Sequence, residues 1–340
     1  MSSSATKDII AIGGSAGSGA VLRTLVADLP ADLPASIFVS THIPAHSPGI
    51  LPEFLAAKST LPVTQAVDGQ PIERGHIYIA APDRHLLIMG ETIQFGAGPR
   101  ENMVRPSIDP MFRSAALSFG PRVVGLVLTG MLNDGAAGLH AIKSNGGTTV
   151  VQHPIDAEVD QMPLAALEAV EVDHVASAAD LGRLLTNLAA SDAGPRRDQP
   201  SDDLRLEVEI AAGARLGSAE LRKIASPTAI TCPDCHGVLS EVRGSRPLRF
   251  RCQIGHAYTA ETLAAHGGEL DEAIRIAMRV MEERVTLVER MARDARDTGR
   301  PAVAELYEAR ALEYRRYAAT LREAALTSLH FGRSSRFQDV

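Results

Sequence analysis

Between residues 8 and about 188, short apolar, β-rich runs alternate with longer stretches of helical period, and this alternation is the strongest constraint on the fold. A strand followed by a crossover helix brings the chain back for a parallel strand, so the pattern predicts a parallel sheet covered by helices. The runs are DIIAIG (8–13), SIFVST (36–41), HIYIAA (76–81), VVGLVLT (123–129) and GTTVVQ (147–152). LLIMG and TIQFG, between 86 and 96, are joined by Glu91 and read as a hairpin. Apolar residues recur at helical spacing over 19–29, 48–57, 109–119, 136–144 and 163–169, and a helix over 179–190 closes the unit.

The segment SDAGPRRDQPSDD (191–203) is polar and aperiodic, as an interdomain linker should be. LRLEVEI (204–210) alternates like a half-buried strand, with an amphipathic helix as the alternative. Two long helical patterns end the chain, separated by Gly299 as a stop and Pro301 as a restart, the punctuation of a helical hairpin. One stripe runs through Leu270, Ile274, Ala277, Met281, Val285, Val288 and Met291, the other through Val303, Leu306, Ala309, Tyr317 and Leu321. The expected organisation is a flexible start (1–7), an α/β domain (8–190), the linker, a cysteine-bearing domain (204–268), a helical hairpin (269–328) and a flexible tail (329–340).

A net charge of −7 gives no general basis for binding nucleic acid or anionic membranes, since both would be repelled at long range. MSSSATKD lacks the basic and apolar regions of a signal peptide, and the apolar run after it is too short to span a bilayer. A cytoplasmic location without membrane insertion is the expectation.

All three cysteines lie in one short segment, in the pattern C-x2-C-x16-C-x3-H formed by Cys232, Cys235, Cys252 and His256. Each half makes a tight knuckle that aims two ligands inward, which predicts a structural Cys3His zinc site closed to catalysis. His236 and His266 are the lesser candidates for the fourth ligand. Arg243, Arg246, Arg249 and Arg251 surround the site and read as a solvated face, with a local surface for nucleic acid or an acidic partner as the alternative.

The first strand ends in Gly13-Gly14-Ser15-Ala16-Gly17, a G-x-S-x-G pattern between a strand and a helix. Small neighbours allow the tight turn that exposes a serine nucleophile, although a plain strand-to-helix turn explains the motif equally well. A phosphate loop fits less well, because no Lys-Ser/Thr pair follows and the G-x-G-x-x-G spacing is absent. His42 follows the second strand and Asp134 follows VVGLVLT. In an open parallel sheet such loops leave from the same carboxyl edge, so the three side chains can converge.

IGGSAGSGAVLRTL, FVSTHIPAHSPGILPEFLA, GHIYIAAPDRHLLI, VRPSIDPMFRSAA and LTGMLNDGAAGLHAI together resemble the successive motifs of the CheB-type protein-glutamate methylesterase domain of bacterial chemotaxis. The resemblance covers about residues 8–188 and implies a doubly wound α/β domain; with the cysteine spacing and the helical periods beyond it, the expected fold class is such a domain with a mostly parallel sheet, a small zinc-bound segment and a C-terminal α-helical hairpin. The resemblance also implies Ser15 as nucleophile, His42 as general base and Asp134 as orienting acid, with no cofactor for catalysis. The implied reaction is hydrolysis of glutamate γ-methyl esters on chemoreceptors, often with deamidation of certain receptor glutamines, and the implied partner is a methylated receptor or similar signalling protein. The N–H of Ala16 and a donor near Met131 are candidates for the oxyanion hole, and the loop carrying Arg105 and Ser107 is expected to border the substrate cleft. The residues before Ser15 leave no room for the family's usual receiver domain, so activation by phosphorylation is not expected, and Ala16 and Ser18 stand where the family often has Thr and Gly. The competing expectations are a non-catalytic scaffold and an esterase for a protein ester outside chemotaxis.

Overall fold

A computed structural model describes residues 5–47, 49–195, 200–215, 217–265 and 268–331. Pro48, His266, most of the expected start (1–4) and most of the tail (332–340) lie outside these residues. The chain forms two compact units, Met1–Leu263 and Ala264–Val340.

The first unit begins β1 (Ile9–Gly14), α1 (Ser18–Ala27), β2 (Ser36–Thr41), α2 (Leu51–Ala56), β3 (Val63–Gln65) and β4 (Ile77–Ile79). It continues with the hairpin β5 (His85–Met89) and β6 (Thr92–Gly96), then α3 (Ile108–Phe119), β7 (Val123–Val127), α4 (Ala136–Ser144), β8 (Thr148–Gln152), α5 (Gln161–Ala169), β9 (His174–Ala176) and α6 (Ala178–Ala189). Seven strands pair in the order β3-β4-β2-β1-β7-β8-β9, every pair parallel. The chain winds from β1 first to one side and later to the other, so the order reverses between β1 and β7.

Alternation along β1 explains why both faces are covered. Ile9 and Ala11 enter a core with Met111, Phe112 and Leu139, whereas Ile10 and Ile12 enter a second core with Leu22, Leu25 and Leu181. A strand buried on both faces reads as one apolar run, as IIAI does. Two strands escaped the sequence reading: β3 and β9 are three-residue edge strands, largely solvent-facing, and carry no apolar run.

Residues 204–210 form no strand. They lie in α7 (Asp202–Ala212), where the Ser201 hydroxyl accepts the N–H of Leu204 at 3.2 Å, two aspartates occupy the first turn and Gly213 closes the helix at φ 117°. Leu204, Glu207, Val208 and Ala211 form its buried face at spacings of three and four. The alternation fitted either period; the cap, acidic start and terminal glycine decide it.

After α8 (Ser218–Ile224) comes an antiparallel sheet, β10 (Ala225–Thr231), β11 (Val238–Val242), β12 (Arg249–Cys252) and β13 (Ala257–Thr259), then α9 (Ala260–Ala265). The expected linker therefore falls inside the first unit.

The second unit is a helical hairpin, α10 (Gly268–Asp297) and α11 (Pro301–Phe331), with Gly299 at φ 74° in the turn. The side chain of Leu270 is outside the described set. On α11 the inward positions are 304, 307, 311, 314, 318, 321 and 325, a heptad seam beginning at Ala304. Of the expected stripe only Leu321 lies on this seam: Leu306 is 61% exposed while Ala304, Ala311 and Ala318 are buried. Alanine lets the helices approach, and size alone pointed to the wrong face.

Candidate functional site

The carboxyl ends of β1, β2 and β7 lie side by side, with Gly14 opposite Thr41 and Gly13 opposite Val127. Ser15, His42 and Asp134 leave this edge together. Ser15 Oγ lies 3.0 Å from His42 Nδ1, and His42 Nε2 lies 2.8 Å from Asp134 Oδ2. An ionised Asp134 accepts from Nε2–H, which leaves the Nδ1 lone pair free to accept the serine hydroxyl.

The glycines around Ser15 have separate reasons. Gly13 is a strand residue, and a Cβ there would meet Ile108 Cγ2 at 2.3 Å, so its smallness admits the start of α3; only Gly17, at φ 78°, needs the left-handed region. Ser15 itself is absent from the described positive-φ residues, unlike the serine of a strained nucleophile elbow.

Asp134 is 2% exposed and surrounded by donors. Its oxygens accept the N–H groups of Ile108 at 2.7 Å and Asp109 at 3.3 Å, the Ser107 hydroxyl at 2.8 Å and Asn102 Nδ2 at 3.2 Å. The carboxylate thus occupies the N-terminal anion site of α3. Burial alone would raise its pKa, but the His42 hydrogen bond and charge, with the Ile108 and Ser107 donors, hold it below the ordinary range. Asp109, buried beside it, moves oppositely: burial and the charge of Asp134 push it up to about 7, while its Oδ1 accepts the Gly138 N–H at 2.6 Å.

Ser107 does not border the cleft. It is fully buried behind Asp134 at the N-cap position of α3, where its hydroxyl caps no backbone N–H and instead donates to the carboxylate. Arg105 does line a cavity of about 360 Å³ beside His42, together with Pro44, Arg100 and Met103. Its guanidinium is tied to Asp83 Oδ1 at 2.7 Å and to the Gly98 carbonyl at 2.8 Å.

The Ser15 N–H is spent on the Thr129 carbonyl at 2.9 Å, whereas the N–H of Ala16 donates to no described residue. The loop after β7 passes directly against the serine: a Cβ on Gly130 would sit 2.8 Å from Ser15 Cβ. Met131 follows on that loop and is 57% exposed.

Cys232, Cys235, Cys252 and His256 present ligand atoms within 4.8 Å of one another, close enough to hold a metal ion. Cys235 and Cys252 sulfurs are 3.6 Å apart, and His256 Nδ1 is 3.5 Å from Cys252 Sγ. Tetrahedral zinc with Zn–S bonds of about 2.3 Å has edges of about 3.8 Å, so three thiols and one imidazole suit it. His236 is not in this group, and His266 is outside the described residues.

Arg249 and Arg251 are not solvated. Arg249 pairs with Glu207 at 2.9 Å and Arg251 with Glu101 at 3.1 Å, and Arg113 also reaches Glu101 at 2.5 Å, all of them buried. Burial would raise the Glu101 pKa, yet Arg113 and Arg251 hold it far below the usual range. This charge cluster ties the cysteine-bearing sheet to α3 and α7. Neither it nor Asn102 was visible in the sequence.

Residues 10–185 match the model of the CheB methylesterase family. The protein-glutamate methylesterase/protein-glutamine glutaminase 1 of Rhodospirillum rubrum is 38% identical over 167 residues, 47% of this chain and 43% of that one. A Leptospira interrogans protein, provisionally given the same activity name, is 42% identical over 127 residues, 37% of this chain and 66% of that one. The chain spans less than two thirds of the length of these curated relatives. The crystal structure of the Thermotoga maritima CheB methylesterase catalytic domain matches with a TM-score of 0.51 at 31% identity, covering 54% of this chain and 100% of that one.

Proposed function

Because the chain belongs to the CheB methylesterase family, we propose that it hydrolyses γ-methyl esters on glutamate side chains of chemoreceptor-like signalling proteins, and deamidates glutamine at the same centre. The observation that carries this reading is the unbroken sequence of contacts from Ser15 Oγ to His42 Nδ1 and from His42 Nε2 to Asp134.

Ser15 Oγ attacks the ester carbonyl as its proton passes to His42 Nδ1. Asp134 then faces an imidazolium at 2.8 Å and stabilises it. The N–H of Ala16 is the candidate donor to the developing oxyanion, with a second donor from the loop at Met131. Collapse returns the proton to the departing methoxide and releases methanol, and water activated by His42 cleaves the acyl-enzyme. Arg105, fixed by Asp83, holds one wall of the approach to His42.

Cys232, Cys235, Cys252 and His256 are assigned to one structural zinc ion, which supplies cohesion to the small sheet rather than chemistry. No described helix is long and apolar enough to cross a membrane, and the reading places the protein in the cytoplasm beside the receptor's signalling helices.

The test is methanol release from methylated receptor by the full chain and by Ser15→Ala and His42→Ala. Release by the full chain and none by either variant is the expected result; no release by the full chain would favour a scaffold or a different ester.

A further inference from the structure

The small sheet does more than adjoin the α/β layers: its last strand handles the residues that hold Asp134. Asn102 sits at φ 51°, a left-handed conformation unusual for a non-glycine residue, and is 9% exposed. Its N–H donates to the Ala257 carbonyl at 2.8 Å, and its Oδ1 accepts the Thr259 N–H at 3.1 Å. Both partners belong to β13, which begins immediately after His256. With Oδ1 fixed in this way, Nδ2 must face the opposite direction, where it donates to Asp134 Oδ1 at 3.2 Å and to Asp109 Oδ2 at 3.4 Å. The amide has one arrangement that satisfies every neighbour.

A second set of bonds runs in parallel. Asn133, next to the acid, accepts the Thr259 hydroxyl at 2.7 Å through Oδ1 and donates to Glu261 at 3.0 Å through Nδ2. Arg251, beside Cys252, is wholly buried and donates to the Gly255 carbonyl at 2.8 Å and to Glu101 at 3.1 Å. Arg251, just before the ligand Cys252, and β13, just after His256, therefore grip residues 101 and 102 and the residue before Asp134.

We propose that Asn102 is a positioning residue through which metal loading of the Cys3His site sets the reactivity of Ser15. The inference rests on the esterase reading only for the role of the Ser15–His42–Asp134 set. Zinc fixes His256 and with it the register of β13; β13 fixes the Asn102 amide; the amide fixes Asp134 Oδ1. The ionisable groups facing Asp134 are His42 from the β2 loop and Asp109 from α3, with Arg113 and Arg249 near Asp109. Asn102 adds the positive end of a dipole to this group, so its loss leaves more of the Asp134 charge acting on His42.

The experiment labels Ser15 in the full chain with a fluorophosphonate, and so reads the activated serine whatever its natural ester. Rate against pH is measured for the wild type and Asn102→Ala, each zinc-loaded and chelator-stripped, with amide hydrogen exchange on the same samples. Asn102→Ala is expected to keep one zinc, to label about tenfold more slowly, the loss of a hydrogen bond to a charge, and to shift its midpoint to higher pH. Stripping should slow the wild type by a similar factor, leave Asn102→Ala nearly unchanged, and raise exchange in residues 257–262 but not in β1. The coupling is overturned if stripping leaves the wild-type rate unchanged, if it slows both proteins equally, if the midpoint stays fixed in Asn102→Ala, or if exchange rises throughout the parallel sheet. A chain that labels normally yet releases no methanol would refute the ester reading and leave the coupling standing.

Discussion

The carboxylate of Asp134 rests on the amino end of α3, its Oδ2 accepting the Ile108 N–H at 2.7 Å. These donors and the His42 hydrogen bond hold its pKa below the ordinary range, and in the proposed mechanism its negative charge orients and later stabilises His42. Asp134→Asn keeps the shape but turns an amide NH2 toward these donors or toward His42. Methanol release is expected to fall about 10⁴-fold, as when the orienting acid of a triad loses its charge. A drop below tenfold would mean that His42 is held by something else.

Asp109 makes a pH prediction of opposite sign to Asp134. Its folded pKa of about 7 lies above its ordinary value of 3.8, so its contribution to stability is complete below about 4 and is lost as pH rises through 7. Asp109→Asn removes that loss. The melting temperature of the variant relative to the wild type should rise between pH 5 and pH 8; parallel curves across this range would contradict the assignment.

Gly130 is where the β7 loop meets the serine. A methyl group there would lie 2.1 Å from Met162 Sδ and 2.8 Å from Ser15 Cβ. Gly130→Ala should cost about 1–3 kcal/mol by overpacking, measured by urea denaturation, and should slow Ser15 labelling as well. Unchanged stability would show that the loop has room to move.

For the metal site, the full chain should carry one zinc, and Cys252→Ser close to none. Mass spectrometry under non-denaturing conditions reads the stoichiometry. Because a structural zinc substitutes for a core that so small a sheet lacks, the variant should also become sensitive to proteolysis between residues 225 and 263. Stoichiometric zinc in Cys252→Ser would remove that cysteine from the ligand set.

The parts of this architecture that could be read from sequence are those written in local patterns. Apolar runs ending in small or polar residues located β1, β2 and β7, and their shared edge brought Ser15, His42 and Asp134 under consideration together. Cysteine spacing located the ligand cluster for the same reason. Asn102 left no such trace, since its task depends on a left-handed backbone and on Thr259, 157 positions later. Arg249 and Arg251 looked like a surface charge run because basicity reveals nothing of Glu207 and Glu101. The seam of α11 was misplaced at Val303, Leu306, Ala309 and Tyr317, though not at Leu321, because alanine marks a close helix contact without looking hydrophobic.

Glu101 and Arg251 are 150 positions apart, and a bond between them cannot exist until both ends have been made. Translation delivers the parallel sheet through Ala176 roughly ten seconds before Thr259, at ordinary elongation rates. The newborn chain therefore passes through an interval in which Ser15, His42 and Asp134 have been made while the residue that clamps Asn102 has not. Order of manufacture, and not only the finished geometry, separates making the serine from completing its surroundings.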